Sequence, residues 1–459
     1  MELRLIKSHF IRYFSSTMII KIMGIITMPI IIRKLSIEDF ANYSLLNTYF
    51  SILIMLMMLN FQSAISRFYF EYKNIKFIIL GALLISIACY VIISIFLFSN
   101  FGHYLECLLS LSKESIFILI SAVYFQINYN TMEEYLKINE ESKIVSTIVS
   151  ISGVLTYFTL LILVYRIDNT SVSLVLSKAI ILLPINIFCL YILFKNTSFS
   201  DISFNGISVM FKYSIFLMPY ALSGFLLQQF DRVMLSQLGN LADVAYYSFA
   251  YSIGSLPYII VSVILVSWNP SFMRLCNENK FNNLNRQSKL LLIISSCIIS
   301  FFMMFYKEIS YLIGGDKYME IADLSLILFF SNVFTVGSTV YLWFVNFKLK
   351  AYCSSFFTLL SLFANVMLNY FLIPKYGAYA AATSTFISYF LLYVFLSIYV
   401  HVNNHNEFGL KVIDIGLIIL FCFFVMLFSL YAILPVRLFL SFIMIIVLFK
   451  SKRYFSELI

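Results

Sequence analysis

The chain has 459 residues, of which 61% are hydrophobic and only 12% charged, and its mean hydropathy is +0.93. Soluble domains carry about 25% charged residues, so this composition excludes a water-soluble globular protein and points to an integral membrane protein. A formal net charge of +9 would suggest nucleic acid in a soluble chain. Here the basic residues cluster between apolar spans, where topology explains them without a nucleic-acid partner.

A bilayer crossing needs about 20 apolar residues. In chain order the hydropathy pattern predicts about fourteen such segments, at 10–32, 41–65, 77–99, 114–132, 144–165, 171–194, 209–236, 242–268, 289–313, 321–346, 352–374, 378–400, 411–433 and 435–450. The first is too long for a cleavable signal, holds Lys21 and lacks a small-residue cleavage site, so it is expected to stay in the mature protein. With the N-terminus inside, cytoplasmic segments hold twenty Lys and Arg residues and outer segments eight, which places both termini in the cytoplasm. The acidic stretch EEYLKINEESK, 133–143, goes against this trend, but acidic residues weigh little in the rule. The longest expected loop, near 268–289, has about twenty residues, too few for a catalytic extramembrane domain.

The seven cysteines, at 89, 107, 189, 276, 297, 353 and 422, have no C-x-x-C or metal-type spacing and read as small buried hydrophobes. In HVNNH, His401 and His405 lie one helical turn apart. Two histidines without a third ligand read as a solvated loop, and no metal is expected.

The chain repeats itself. RKLSIEDFANYSLL after the first span and VMLSQLGNLADVAYYSFA after the seventh align Asp39 to Ser44 with Asp243 to Ser248, and a weaker match links 135–163 with 346–374. Both halves start from the same side, since six spans is an even number. The expected fold is therefore all-α, with two six-helix bundles in parallel pseudo-two-fold repeat, residues 1–200 and 201–405, followed by two additional C-terminal helices and a basic tail, 406–459.

Charged groups within spans are costly and usually face a bundle interior or wet cavity. Lys21 and Lys178 are the most central, with Lys178 on a helical face shared with Ser171 and Asn186 and with Pro184 expected to kink that helix. Further polar stripes at helical spacing are Asn60, Ser63 and Arg67; Asn332, Thr335 and Thr339; and Thr358, Ser361, Asn365 and Asn369. These either line a sugar path or bond helix to helix. Arg67 has Glu71 one turn on as a candidate partner. Tyr246, Tyr247 and Tyr251 read as an interfacial belt in preference to a sugar platform. Asp231 and Arg232, at the outer end of the seventh span, read either as an ion pair with polar neighbours that fixes the helix end or as a gate, proton or phosphate site.

The segment FDRVMLSQLGNLADVAYYSFAY, 230–251, resembles the D-R-hydrophobic-hydrophobic-L-x(n)-V-x-x-Y-[SA] signature of polysaccharide flippases. LFANVMLNYFLIPKYGAYAAATSTFISY, 362–389, is similar to their N-x-x-L-N-x-x-L-I-P-x-x-G-x-x-G-A-A-x-A-T segment, and KIMGIITMPIIIRKLSIEDFANY resembles their opening helix. The resemblance covers residues 1 to about 400, with Ala380 and Ala245 standing where the family usually has Gly. It implies a Wzx-like O-antigen or polysaccharide flippase of the multidrug/oligosaccharidyl-lipid/polysaccharide exporter superfamily.

Such a protein would move undecaprenyl-diphosphate-linked oligosaccharide from the cytoplasmic to the periplasmic leaflet of the bacterial inner membrane. Expected partners are that lipid-linked oligosaccharide, membrane lipids and the polysaccharide polymerase machinery. No cofactor is expected beyond coupling to a proton or sodium gradient. Lys21 and Lys178 are candidates for the phosphates, and Arg67, Asn60, Asn365 and Asn369 are further candidate substrate-binding residues. Two alternatives are a small-molecule or cation antiporter of the same fold, which would favour central acidic residues, and a membrane glycosyltransferase or polymerase, which would need a catalytic loop.

Overall fold

Ser36 and Asn240 set the pattern of the two halves. Each caps a helix by accepting the backbone N–H of the aspartate three residues on, Asp39 at 3.0 Å and Asp243 at 2.8 Å. A short polar side chain at this position satisfies one of the orphan N–H groups of a first turn. The sequence repeat is thus a structural repeat of a capped helix start.

The computed structural model describes residues 2–68, 76–99, 102–109, 111–167, 170–196, 204–404, 407–409, 412–431, 435–438 and 440–441. Among them there is no β-strand. The chain forms two compact units, Met1–Phe225 and Leu226–Ile459.

The first unit holds α1 (Glu2–Lys34), α2 (Ile37–Met58), α3 (Phe61–Phe68), α4 (Lys76–Phe98), α5 (Gly102–Leu109), α6 (Lys113–Ile138), α7 (Ser142–Arg166), α8 (Thr170–Asn196) and the start of α9 (Phe204–Leu238). Helix α1 packs on α7, and α6 on α8 and α4. One apolar cluster joins α4, α6, α7 and α8 through Leu83, Met132, Val145 and Leu182. Long isoleucines such as Ile22, Ile26 and Ile92 remain exposed on the outer faces, as expected of surface that meets lipid tails and not water.

The second unit holds the rest of α9, then α10 (Leu241–Asn277), α11 (Phe281–Met304), α12 (Tyr306–Gly314), a 3₁₀ turn at Gly315–Ile321, α13 (Leu324–Phe347), α14 (Ala351–Asn404) and α15 (Val412–Tyr431). Helix α13 is its centre: most of it is buried, and it packs on α10, α11, α14 and α15. Trp268, Phe272, Phe344 and Phe408 are each buried to within about 1% and meet ring to ring around it, with Phe344 and Phe408 centroids 4.8 Å apart. Such aromatic pairs each add about 0.5–1.5 kcal/mol beyond their buried area.

Helix α14 is two helices separated at Gly377, whose φ of +53° is non-helical. Glycine fits this left-handed backbone at little cost. Asp243, the residue capped by Asn240, accepts the Ala378 N–H at 3.1 Å at the start of the second arm. The repeated turn of the second half therefore also anchors the break in α14.

Among the described residues, ten helices are long and apolar enough to cross a membrane. One of these stretches, Tyr352–Asn403, contains both arms of α14. Helix α6 occupies the expected fourth span but is less apolar than these, and Gly416–Tyr431 is a shorter apolar helix. Most of the expected last span, 435–450, lies outside the described residues.

Three expectations need correction. The second span is not continuous over 41–65: Leu59 and Asn60 adopt φ of 48° and 59° and break it before α3. The ninth span is not 289–313. Its polar beginning, from Phe281, is already helical, and α11 ends before Phe305. The loop of about twenty residues near 268–289 is also absent, because α10 continues to Asn277 and α11 starts at Phe281. The turn between them puts Asn279 at φ 54°, while Lys280 donates its N–H back to the Leu275 carbonyl at 3.0 Å. The same closure recurs where Glu141 bonds Leu136 after α6 and Lys350 bonds Val345 after α13. A left-handed residue followed by a long backward bond ends a helix in little space. These are short turns that hydropathy alone reads as loops.

Candidate functional site

Asp231 and Arg232 lie on consecutive positions of α9, where side chains diverge by about 100°. They therefore find separate partners. The Asp231 carboxylate accepts from the Tyr247 hydroxyl at 2.6 Å, Thr385 Oγ1 at 2.7 Å and Asn369 Nδ2 at 2.6 Å. It is 1% exposed, and charge-assisted bonds of this kind are roughly twice as strong as neutral ones. Arg232 donates through Nε to Ser248 Oγ at 3.2 Å and through Nη1 to Gln229 Oε1 at 2.9 Å. Its guanidinium lies 4.6 Å from the Tyr251 ring centroid, a cation–π contact. The expected ion pair between the two residues is thus replaced by two networks, which share Tyr247 at the edge: its ring centroid is 5.6 Å from the guanidinium.

The asparagines of the eleventh span belong to the Asp231 network. Asn369 also donates to Asn365 Oδ1 at 3.2 Å, and Ser384 Oγ donates to Asn369 Oδ1. Asn365 and Asn369 are fully buried. Their amides tie the first arm of α14 to α9 and to its second arm, as polar residues commonly do between membrane helices. Nδ2 of Asn365 is buried without a partner among the described residues.

Of the tyrosines expected as an interfacial belt, Tyr247 is buried and Tyr246 and Tyr251 are half-buried. Tyr247 is fully buried and engaged by Asp231, Tyr251 carries Arg232, and Tyr246 packs edge-on against Tyr318 at 6.3 Å. The buried charges on α9 need polar and aromatic partners, and Tyr247 and Tyr251 supply them.

In the first unit, Lys178 is half-buried on α8. Its Nζ donates to Asn47 Oδ1 at 3.2 Å and stands 3.8 Å from the Phe50 ring centroid, both on α2. No carboxylate pairs with it among the described residues. Asn186 instead reaches α6, donating to the Phe125 carbonyl at 3.5 Å, so the polar face expected on α8 divides between two neighbouring helices. The side chain of Ser171 lies outside the described residues.

Lys21 is half-buried near the middle of α1. Asn60 sits in the α2–α3 turn and accepts from Ser63 Oγ at 2.9 Å, a local cap. Arg67 is exposed at the end of α3, and its expected partner Glu71 lies outside the described residues. His401 lies near the end of α14, and His405 is outside the described residues. Of the expected site residues, the structure brings together Asp231, Asn365 and Asn369, with Arg232 beside them.

Tyr247, Thr385, Ser384, Ser248 and Gln229 were not singled out from the sequence as partners of this site. Thr385 and Ser384 do fall in the segment that resembles the flippases, which was the available signal.

These features define a multi-pass all-α membrane protein with a buried polar network in its second unit. Residues 6–276 match a family of polysaccharide biosynthesis proteins. That is more than half of the chain, and the protein belongs to this family. Among solved structures, the chain is similar to the lipid II flippase MurJ in an inward closed conformation, with a TM-score of 0.72 and 15% identity over 98% of this chain and 99% of that one. It is also similar to an inward-facing multidrug resistance MATE transporter of the MOP superfamily, with a TM-score of 0.64 and 14% identity over 84% of this chain and 96% of that one. A third likeness is to a MOP superfamily transporter from Pyrococcus furiosus, with a TM-score of 0.58 and 14% identity over 86% of this chain and 96% of that one. At these identities the likeness establishes the fold. No curated protein matches by sequence.

Proposed function

We propose that the protein is a flippase that carries undecaprenyl-diphosphate-linked oligosaccharide, an O-antigen or capsule repeat unit, from the cytoplasmic to the periplasmic leaflet of a bacterial inner membrane by alternating access. The family match supports a role in polysaccharide assembly, and the shared fold supports transport. The observation that carries the reading is Lys178. Its ammonium meets one amide oxygen and one aromatic ring and no carboxylate among the described residues. An unneutralised cation in a membrane helix is costly, and an anionic ligand would offset that cost. A lipid diphosphate supplies such charge.

The cytoplasmic placement of both termini and coupling to a proton or sodium gradient belong to the same proposal. So does delivery of the product to polymerase machinery. The glycosyltransferase alternative would need a catalytic loop, and among the described residues even the longest expected one, between α10 and α11, is a short turn. The cation-antiporter alternative would call on Asp231, the buried carboxylate of the second unit. Three donors already satisfy it.

The test is genetic. Deletion of the gene should abolish surface polysaccharide and leave lipid-linked oligosaccharide in the cytoplasmic leaflet, with both reversed by the wild-type chain. Unchanged surface polysaccharide in the deletion strain would refute the proposal.

A further inference from the structure

In the second unit, α9, α10, α13 and the second arm of α14 line a small, partly open pocket. Tyr251 and Tyr258 line it from α10, Asn332 and Thr335 from α13, and Thr385 and Tyr389 from α14. No Asp, Glu, Lys or Arg side chain lines it.

Its polar atoms are committed unevenly. Thr335 Oγ1 donates to the Ser331 carbonyl and Thr385 Oγ1 to Asp231, so their hydrogens are used while oxygen lone pairs remain. Asn332 gives Nδ2 to the Gly254 carbonyl at 2.7 Å and keeps its side-chain carbonyl oxygen as an acceptor. Among the described residues, the hydroxyls of Tyr251 and Tyr389 form no hydrogen bond with the protein. The pocket thus offers three aromatic faces, two uncommitted hydroxyls and several acceptors, with no fixed charge.

A diphosphate does not suit this lining. An anion buried without a cation is penalised, and the neighbouring Arg232 is occupied by Ser248, Gln229 and the Tyr251 ring. A polyprenyl tail would strand the amide and hydroxyl groups. An uncharged pyranose fits both aspects: its C–H faces lie on aromatic rings, and its hydroxyls donate to acceptors and accept from tyrosine O–H groups.

We propose that this pocket is a subsite for one neutral sugar ring of the transported glycan, with Tyr251, Tyr258 and Tyr389 as the stacking surfaces and Asn332 as the principal acceptor. It rests on the flippase reading and adds to it the place where an uncharged sugar is recognised.

The test uses the purified full-length chain and two probes: undecaprenyl diphosphate, and lipid-linked oligosaccharide extracted from the host. Wild type should bind the glycan-bearing probe about tenfold more tightly than the sugarless one. Asn332→Leu and Tyr389→Phe should each lose about three- to tenfold for the glycan-bearing probe, the scale of one or two lost hydrogen bonds. Binding of undecaprenyl diphosphate should not change, which also reports that the variants are folded.

Unchanged preference for the glycan in both variants would overturn the subsite. Equal binding of both probes by wild type would overturn it and leave the flippase reading standing, whereas binding of neither would refute that reading as well. Wild-type binding of tetraphenylphosphonium that both variants lose would show a cation pocket and overturn the proposal.

Discussion

The hydroxyl of Tyr247 donates to the carboxylate of Asp231 at 2.6 Å, linking α10 to α9 in a site where Asp231 is 1% exposed and Tyr247 fully buried. Tyr247→Phe removes one charge-assisted bond and should cost about 1–3 kcal/mol. Asp231→Ala strands the donors of Tyr247, Thr385 and Asn369 together. It should lower membrane abundance and the thermal midpoint more than Tyr247→Phe does, and more than it lowers transport per molecule. Quantitative blotting and fluorescence-detected thermal unfolding check this. Normal abundance with abolished transport would instead favour a gate at Asp231.

A second prediction concerns the break in α14. Gly377 has φ +53°, and a Cβ there would collide with the Asp243 carboxylate that caps the second arm. The backbone strain alone costs on the order of 1–3 kcal/mol, and the collision adds to it. Gly377→Ala should therefore depress the thermal midpoint clearly. Asp243→Asn, which retains an acceptor oxygen, should depress it less. Equal midpoints for Gly377→Ala and wild type would show that the second arm does not depend on this cap.

Hydropathy made most of the apolar helices legible, because a bilayer demands long runs with internally satisfied backbone groups. It could not place helix ends that depend on backbone geometry. The polar start of α11 is helical, and Asn279 closes the turn before it through a left-handed conformation. The break at Leu59 and Asn60 carries no glycine or proline to announce it. Within the site, adjacency suggested that Asp231 would pair with Arg232. Helix geometry separates them, and their partners lie as far along the chain as Thr385. The repeat at Asp39 and Asp243 was legible because both residues occupy the same capping position.

Topology gives a third prediction. Asn279 lies in the α10–α11 turn and Asn404 at the end of α14, whereas Gly102 starts α5 and Gly314 ends α12. Reporter fusions at Asn279 and Asn404 should read cytoplasmic, and those at Gly102 and Gly314 periplasmic. A periplasmic signal at Asn279 would overturn the proposed orientation.

Lys178 supports a fourth. Its contacts with Asn47 and Phe50 are neutral, so Lys178→Ala should leave the protein in the membrane while export falls to background. Lys178→Arg keeps the charge with different geometry and should retain part of the activity. Surface polysaccharide at matched protein level is the readout. Wild-type amounts with Lys178→Ala would shift the phosphate role to Lys21.

The most direct measurement follows lipid-linked oligosaccharide in proteoliposomes that contain the purified chain as the only protein. Leaflet position is read from accessibility to a membrane-impermeant glycosidase or oxidant. The account predicts that wild type moves the glycan-bearing lipid between leaflets and that Lys178→Ala does not. Lipid-linked oligosaccharide that stays in its original leaflet with wild type present, under an imposed proton or sodium gradient, while a cationic dye is exchanged across the same vesicles, would contradict it.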